Sequence, residues 1–359
     1  MTDARAETLA FAESPVQLLN TLEWAHTTGP GAFTVIILPP QDPTSRGQLR
    51  RMAQLARDSG CRVLWREARG GAVTPSRALA ALAGPLRRAR RLVIGDPFSH
   101  YLQLLLSMAG RCDVVVVDDG TATMEFAAQL ARGERLVRWH RPAARGPRAV
   151  LFAPVARRAV RRLTPAAGRS VEVFTAMPVE ALAGVTVTDN TFSWTRDHFR
   201  APRLTGGADL VGTSLVETGV LHEDRYVGAV RELAAEHGVT RYFAHRKEGS
   251  EKLRRLTNEA GVEIIRPDLP LELVARRGPI GSKILSFPST VVHTLPRVLS
   301  DTTAEVVVCE VAEAWFTDGV TARASGFLSQ VTSTARGTRG TRGRPAPASS
   351  PRQAHGEAT

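Results

Sequence analysis

The sequence predicts an α/β protein of two domains, each built on a parallel sheet. Three observations predict it. Short β-branched runs alternate with amphipathic stretches in both halves of the chain, and such alternation gives parallel sheets with right-handed crossovers. At 359 residues the chain is long enough for two cores of ordinary size. A segment rich in proline and arginine, residues 138–170, separates the halves.

In chain order, the first domain (residues 1–137) has predicted strands over 8–13, 33–38, 61–65, 91–94 and 113–117. Each is a short apolar run bounded by turn-forming residues. Helices over 16–27, 46–58, 75–88 and 100–108 place apolar residues at three- and four-residue spacing. Pro142, Pro147, Pro154 and Pro165 make 138–170 irregular, so it reads as a linker. Within it a short helix over 155–163 would carry Arg157, Arg158, Arg161 and Arg162 along one side. That side is either a solvated face or a patch for an anionic membrane surface or an acidic acceptor. The second domain (171–330) has predicted strands at 171–175, 210–211, 241–244, 262–265, 283–286 and 305–308, and helices at 223–237, 250–260, 270–276 and 289–295. Residues 331–359, rich in Gly, Pro, Ser, Thr and Arg, read as a disordered tail.

Composition narrows the function classes. The chain has no run of 18 apolar residues, so no membrane-spanning helix is expected. Residues 1–7 lack the apolar core of a secretion signal. Cys61, Cys112 and Cys309 are far apart and show no metal spacing, which fits a reduced, cytoplasmic setting. The net charge of +12 invites a nucleic-acid reading. Against it, only three of the 47 basic residues are lysines (Lys247, Lys252, Lys283), a skew that reflects composition rather than phosphate binding. Eleven arginines against the single acid Glu134 lie between Arg132 and Arg169, so the excess sits away from the strand ends. No nucleic-acid partner is expected. A dinucleotide-dependent oxidoreductase is disfavoured too: Glu13, Ser14, Pro15, Val16 and Gln17 stand where a glycine-rich GxGxxG turn would follow the first strand.

The chemistry concentrates at strand ends, where ligands bind in open parallel sheets. Four valines, Val114 to Val117, lead directly into Asp118, Asp119 and Gly120. A carboxylate there can take a proton from an attacking hydroxyl, and a second one raises the first one's pKa. Glycine permits a sharp turn and close substrate approach; the plainer reading is a strand-ending Asp-Gly turn. Arg241 to Ala244 form a β-run ending in His245, Arg246 and Lys247. Three groups able to carry positive charge suit a departing phosphate, or form a surface turn paired by Glu248 and Glu251. Pro270 opens a helix with Glu272 in its first turn, where it complements the helix dipole or holds a ribose diol. Ser286, Ser289 and Thr290 end a strand and open a helix, which makes either an anion site or an ordinary N-cap.

In series, these motifs resemble the bacterial sialyltransferases and polysialyltransferases, including those that sialylate lipooligosaccharide. That superfamily carries an acidic D/E-D-G motif in its first domain, then a histidine motif and a paired-hydroxyl motif in its second. Here Asp118-Asp119-Gly120, His245 and Ser289-Thr290 match, in the same order. The stretch Glu13 to Asn20 looks like the family's opening strand–loop–helix, and Gly212 to Glu217 like the start of its second domain. The similarity spans roughly residues 9–328. One departure is Arg246, where the family usually has proline after the histidine.

The resemblance implies a GT-B type fold, two Rossmann-like domains with parallel sheets facing a central cleft, and inverting transfer from CMP-sialic acid to a glycan hydroxyl. It implies no cofactor and no metal. Asp118 or Asp119 would be the base, with Asp118 slightly favoured, and His245 would protonate or stabilise the leaving phosphate. Ser289 and Thr290 would bind that phosphate, Glu272 the ribose or base, and Ser286, Arg246 and Gly212 would complete the donor side. Ser14, Gln17, Asn20 and Gly120 would lie on the acceptor side. The implied location is cytoplasmic, with peripheral contact at a membrane face; the oligomeric state is not specified. Another CMP-ulosonic acid, or another nucleotide sugar, is the alternative donor.

Overall fold

The computed structural model describes residues 8–29, 31, 33–68, 74–134, 136, 147–320 and 322–340. The first sheet is formed by β1 (Thr8–Ala12), β2 (Phe33–Ile37), β3 (Arg62–Trp65), β4 (Arg91–Ile94), β5 (Asp113–Val117), β6 (Val171–Thr175) and β7 (Thr186–Asp189). Their order is β3-β2-β1-β4-β5-β6-β7, with every pairing parallel. Between them run α1 (Pro15–Thr28), α2 (Pro43–Asp58), α3 (Thr74–Arg88), α4 (His100–Met108), α5 (Thr121–Ala131) and α6 (Pro147–Arg162). The second sheet contains β8 (Leu204–Val211), β9 (Val239–Phe243), β10 (Glu263–Ile265), β11 (Ile280–Ser286) and β12 (Glu305–Val308), in the order β10-β9-β8-β11-β12 and again parallel. Its helices are α8 (Glu223–His237), α9 (Ser250–Ala260), α10 (Leu271–Arg277) and α11 (Val291–Val298). Between the sheets lies α7 (Ser193–His198), and α12 (Ala322–Gly340) closes the described chain. The architecture is the expected pair of Rossmann-like α/β domains with parallel sheets.

The central strands of the first sheet, β1, β4 and β5, are buried on both faces because their residues beyond the first position are all apolar. In β5, Val114 and Val116 pack into one core layer, and Val115 and Val117 into the layer on the other side. Strand order reverses between β1 and β4 in the first sheet and between β8 and β11 in the second. Such switch points open a crevice at the strands' carboxyl ends.

Three expectations are corrected. The strand over 171–175 exists, but it pairs with β5 (Val114 with Val171) and belongs to the first sheet, as does β7 beyond it. The first domain therefore runs to Asp189, and 138–170 is an excursion within it rather than a linker, with residues 137–146 outside the described residues. The reason is physical: the Val-Glu-Val-Phe-Thr pattern marks a strand, yet nothing local states which sheet edge it will join. The helix predicted over 155–163 is longer, α6, and its Ala159 and the following Leu163 are wholly buried. Finally, residues 331–340 are not a disordered tail. They continue α12, and Val331 and Ala335 are buried in the core; residues 341–359 lie outside the described residues.

Candidate functional site

The acidic turn and the hydroxyl pair meet. After β5 the chain passes through Asp118 and Asp119 to Gly120, which adopts φ +69° and opens α5. After β11 it passes through Ser289 to Thr290, which opens α11. Thr290 Oγ1 accepts the Thr121 N–H at 3.2 Å, so the carboxyl ends of the two sheets touch at these two motifs. Thr290 makes no side-chain cap bond to its own helix because its hydroxyl is turned to the other domain. Ser289 Oγ lies 3.2 Å from Ser286 Oγ, which donates to the Phe287 carbonyl.

The two acids differ sharply. Asp118 is completely buried: its carboxylate accepts from Thr175 Oγ1 at 2.5 Å and from the Ala176 N–H at 2.6 Å, tying β5 to β6. Burial raises its pKa to about 6, against the lowering effect of those hydrogen bonds and of Arg297. Asp119 is half-buried, and its backbone N–H donates to Thr123 Oγ1 at 3.1 Å. Of the two acids, Asp119 and not the slightly favoured Asp118 keeps part of its surface exposed.

His245 follows β9 in a turn closed from inside by Glu248. The His245 N–H donates to Glu248 Oε2 at 2.5 Å, and the Glu248 N–H returns to the His245 carbonyl at 3.0 Å. Lys247 N–H donates to His245 Nδ1 at 3.2 Å, which leaves the neutral ring its proton on Nε2. Burial, then the nearby Arg246, Lys247 and Lys252 charges, lower the ring's pKa to about 4. At neutral pH His245 is therefore a neutral N–H donor, and the positive charge beside it comes from Arg246 and Lys247. Arg246 also acts across the cleft, lowering the pKa of Asp42 on the first domain, where serine hydrogen bonds have the larger effect.

Beneath this turn lies a buried network that the sequence did not reveal. Glu248 Oε1 accepts from Tyr242 OH at 2.5 Å and pairs with Lys252 Nζ at 2.8 Å. Lys252 continues to Glu217 at 3.0 Å and to the Thr213 carbonyl at 3.1 Å. Tyr226 OH lies 2.6 Å from Tyr242 OH. Gly212, predicted on the donor side, sits directly on this network: a Cβ there would stand 2.3 Å from Glu248 Oε2 and 2.5 Å from Tyr242 OH. Sequence reasoning assigned Glu248 only to surface pairing, since nothing local reports burial.

Other predicted residues are internal ties. Ser14 caps α1 by accepting the Gln17 N–H at 3.2 Å. Gln17 Oε1 accepts the Glu13 N–H at 2.8 Å, and its stem packs on Gly95. Asn20 donates to the Asp118 carbonyl at 2.9 Å and accepts from Asn190 at 3.0 Å. Gln17 and Asn20 are each 2% exposed, so Asn20 braces the acidic turn and Gln17 ties the start of α1 to Glu13 and Gly95 rather than facing an acceptor. A strand–loop–helix signature does not separate such bracing from ligand contact. Glu272 is also buried and accepts from Thr294 Oγ1 at 2.7 Å, joining α10 to α11, and burial raises its pKa.

One residue was missed altogether. His293 follows Thr290 by three positions and precedes Arg297 by four, so the three share a face of α11. Thr290 meets Thr121, and Arg297 meets Asp189 at 2.5 Å. Among the described residues His293 Nε2 is buried on this face without a hydrogen-bond partner, and burial lowers the ring's pKa to about 4. Inside an amphipathic helix it gives no sequence signal.

Among the described residues no group of three or more His, Cys, Asp or Glu could hold a metal ion, and no helix is long and apolar enough to cross a membrane.

No protein-family model matches the chain, and no curated protein matches it. Solved structures do. The chain is similar to MurG of Acinetobacter baumannii, at 11% identity, covering 92% of this chain and 84% of that one, with a TM-score of 0.40. It is similar to the Escherichia coli heptosyltransferase WaaC with ADP, at 15% identity over 92% and 98% of the two chains, with a TM-score of 0.39. A UDP-glucosyltransferase from Polygonum tinctorium capable of glucosylating indoxyl is 12% identical over 94% and 95%, with a TM-score of 0.46.

Proposed function

We propose that the protein is an inverting glycosyltransferase that uses a nucleotide-sugar donor, CMP-sialic acid being the donor the motif series favours. The observation that supports this most is the contact of Thr290 with Thr121, which sets a hydroxyl-bearing helix start beside Asp119 at the facing carboxyl ends of two parallel sheets.

In this reading the donor phosphate lies at the start of α11, where helix polarity and the Ser289 and Thr290 hydroxyls favour an anion. Asp119 takes the proton of an acceptor hydroxyl. The freed oxygen attacks the anomeric carbon from the side opposite the phosphate. The carbon–oxygen bond to the phosphate breaks, and its electron pair leaves with the nucleotide monophosphate. His245 Nε2–H, Arg246 and Lys247 stabilise that growing negative charge. The neutral state of His245 makes it a hydrogen-bond donor to the leaving group, not a cationic acid. Asp118 and Asn20 hold the turn that presents Asp119, and Glu248 holds the turn that presents His245.

Calorimetric titration with CMP, UDP and ADP, each with and without Mg²⁺, tests the donor class. CMP binding that ignores Mg²⁺ and weakens in Ser289→Ala supports the reading. Preference for UDP or ADP would retain the nucleotide-sugar class and overturn the CMP assignment, and no response to any of the three would overturn both.

A further inference from the structure

We propose that the outer face of α6 docks the protein on an anionic phospholipid bilayer, independently of the donor assignment above. Three large hydrophobic side chains are exposed among the described residues, and two are neighbours on α6: Val150, 74% exposed, and Leu151, 82% exposed. At helical spacing they share one arc with Pro154, Arg157, Arg158 and Arg161, all of them exposed. The opposite side carries Ala159, wholly buried in the first domain's core, and Leu163 is wholly buried just past the helix end. The helix thus turns an apolar half and a basic half toward solvent, and it contains no acidic residue.

At its basic end there is a concavity of about 420 Å³ lined by Arg158, Arg161, Arg162, Thr164, Pro165 and Arg169. Arg162 and Arg169 are anchored, Arg162 to the Ala109 carbonyl at 2.7 Å and Arg169 to the Arg161 carbonyl at 2.6 Å. Burial and the neighbouring Arg158 and Arg169 charges lower the Arg162 pKa, so like charges crowd here. Charge complementarity therefore names an anionic partner. Aliphatic side chains beside the arginines favour acyl chains and phosphate headgroups. Single-stranded nucleic acid would call for aromatic side chains to stack on bases, and the exposed large hydrophobics among the described residues include none; a duplex would leave the exposed Val150 and Leu151 without an apolar partner.

The helix is also oriented usefully. Phe152 packs on His100, the first residue of α4, with ring centroids 4.6 Å apart, so the apolar end lies near the carboxyl edge of the sheet. Arg162 reaches Ala109 past the other end of α4, and the chain then enters β6 from its amino edge. Val150 and Leu151 are thus at the same edge as Asp119. A bilayer bound on this face would bring that edge toward lipid-linked molecules.

Co-sedimentation of the full chain with phosphatidylcholine vesicles, with and without about a third phosphatidylglycerol, tests the proposal. Binding is expected only to the anionic vesicles and should fall as salt rises. Combined Arg157→Glu, Arg158→Glu and Arg161→Glu substitution should weaken it by about 10³-fold or more, and Val150→Ser with Leu151→Ser by about tenfold. The corresponding Arg→Gln variant, whose smaller charge change tests the same face, should lose about fivefold per arginine. Thermal midpoints and CMP titrations should not change in these surface variants. Equal binding to neutral vesicles, unaltered binding by the variants, or tighter binding to duplex DNA than to anionic vesicles would overturn the proposal.

Discussion

Gly120 lies so close to Thr290 that a Cβ added to it would stand 2.3 Å from the threonine Oγ1. The same glycine holds φ +69° with ψ −141°, a conformation that side chains disfavour. One residue therefore carries both the turn after the acidic pair and the contact between the two sheets' carboxyl edges. Gly120→Ala is expected to cost about 1–3 kcal/mol of stability from backbone strain and to spread Asp119 from Thr290. Thr290→Val should remove the hydrogen bond to Thr121 and the hydroxyl proposed to face the donor phosphate, without backbone strain. A urea titration and a turnover assay on both variants check this: activity should fall in both, stability mainly in Gly120→Ala.

The two adjacent acids should separate cleanly. Asp118→Ala leaves Thr175 Oγ1 and the Ala176 N–H without their buried acceptor, a loss of about 1–3 kcal/mol. Asp119→Asn should leave the thermal midpoint near the wild-type value while turnover falls by about 10²–10⁴-fold. An unfolding curve and a rate for each variant suffice, and wild-type turnover in Asp119→Asn would remove it as the base.

The His245 ring should titrate far below the ordinary histidine range. In the ligand-free protein its NMR midpoint is expected at about 4. Glu248→Ala should disturb this value, because it removes the acceptor of the His245 N–H and one partner of buried Lys252. Its stability loss should be about 3 kcal/mol, and kcat should fall more than nucleotide affinity. Glu248→Gln, which keeps an acceptor, should recover part of the rate.

Stability should depend on pH in two opposing ways. Asp118 has its pKa raised from 3.8 to about 6. The folded state keeps a proton that the unfolded chain releases, so this group's contribution falls as pH rises through that window. His293 runs the other way. Its pKa is lowered from 6.5 to about 4, the unfolded chain binds the proton first, and stability is lost as pH falls from about 6.5 toward 4. Each shift corresponds to about 3 kcal/mol at full expression. Urea unfolding across this range should show a weaker acid-side loss in His293→Gln than in wild type, and a steeper one in Asp118→Asn.

How much of this was legible in the sequence depends on what each element signals locally. β5 at Asp113–Val117 was found to the residue, since a valine run flanked by polar turns admits no other reading. α8 and α9 were also found at their bounds, where Gly238 and Gly261 stop the helices in left-handed caps. α5 was missed because most of its residues are buried and no polar face marks its period. β7 is a mostly exposed strand with little apolar signal, and α7 spans six residues. Within the site, the motif positions at the strand ends were legible, and the contact of Gly120 with Thr290 joins two of them. The division of labour was not: burial alone separates Asp118 from Asp119, makes Glu248 a partner of His245, and places His293 inside.

The measurement that bears most directly on the account is nucleotide binding and donor turnover in one protein pair, wild type and Asp119→Asn. With CMP-sialic acid and a panel of glycan acceptors, wild type should release CMP. Asp119→Asn should bind CMP with wild-type affinity and turn over about 10³-fold more slowly. Wild-type turnover in Asp119→Asn, or loss of CMP binding together with turnover, would contradict the assignment of Asp119 as a base beside a separate donor phosphate site.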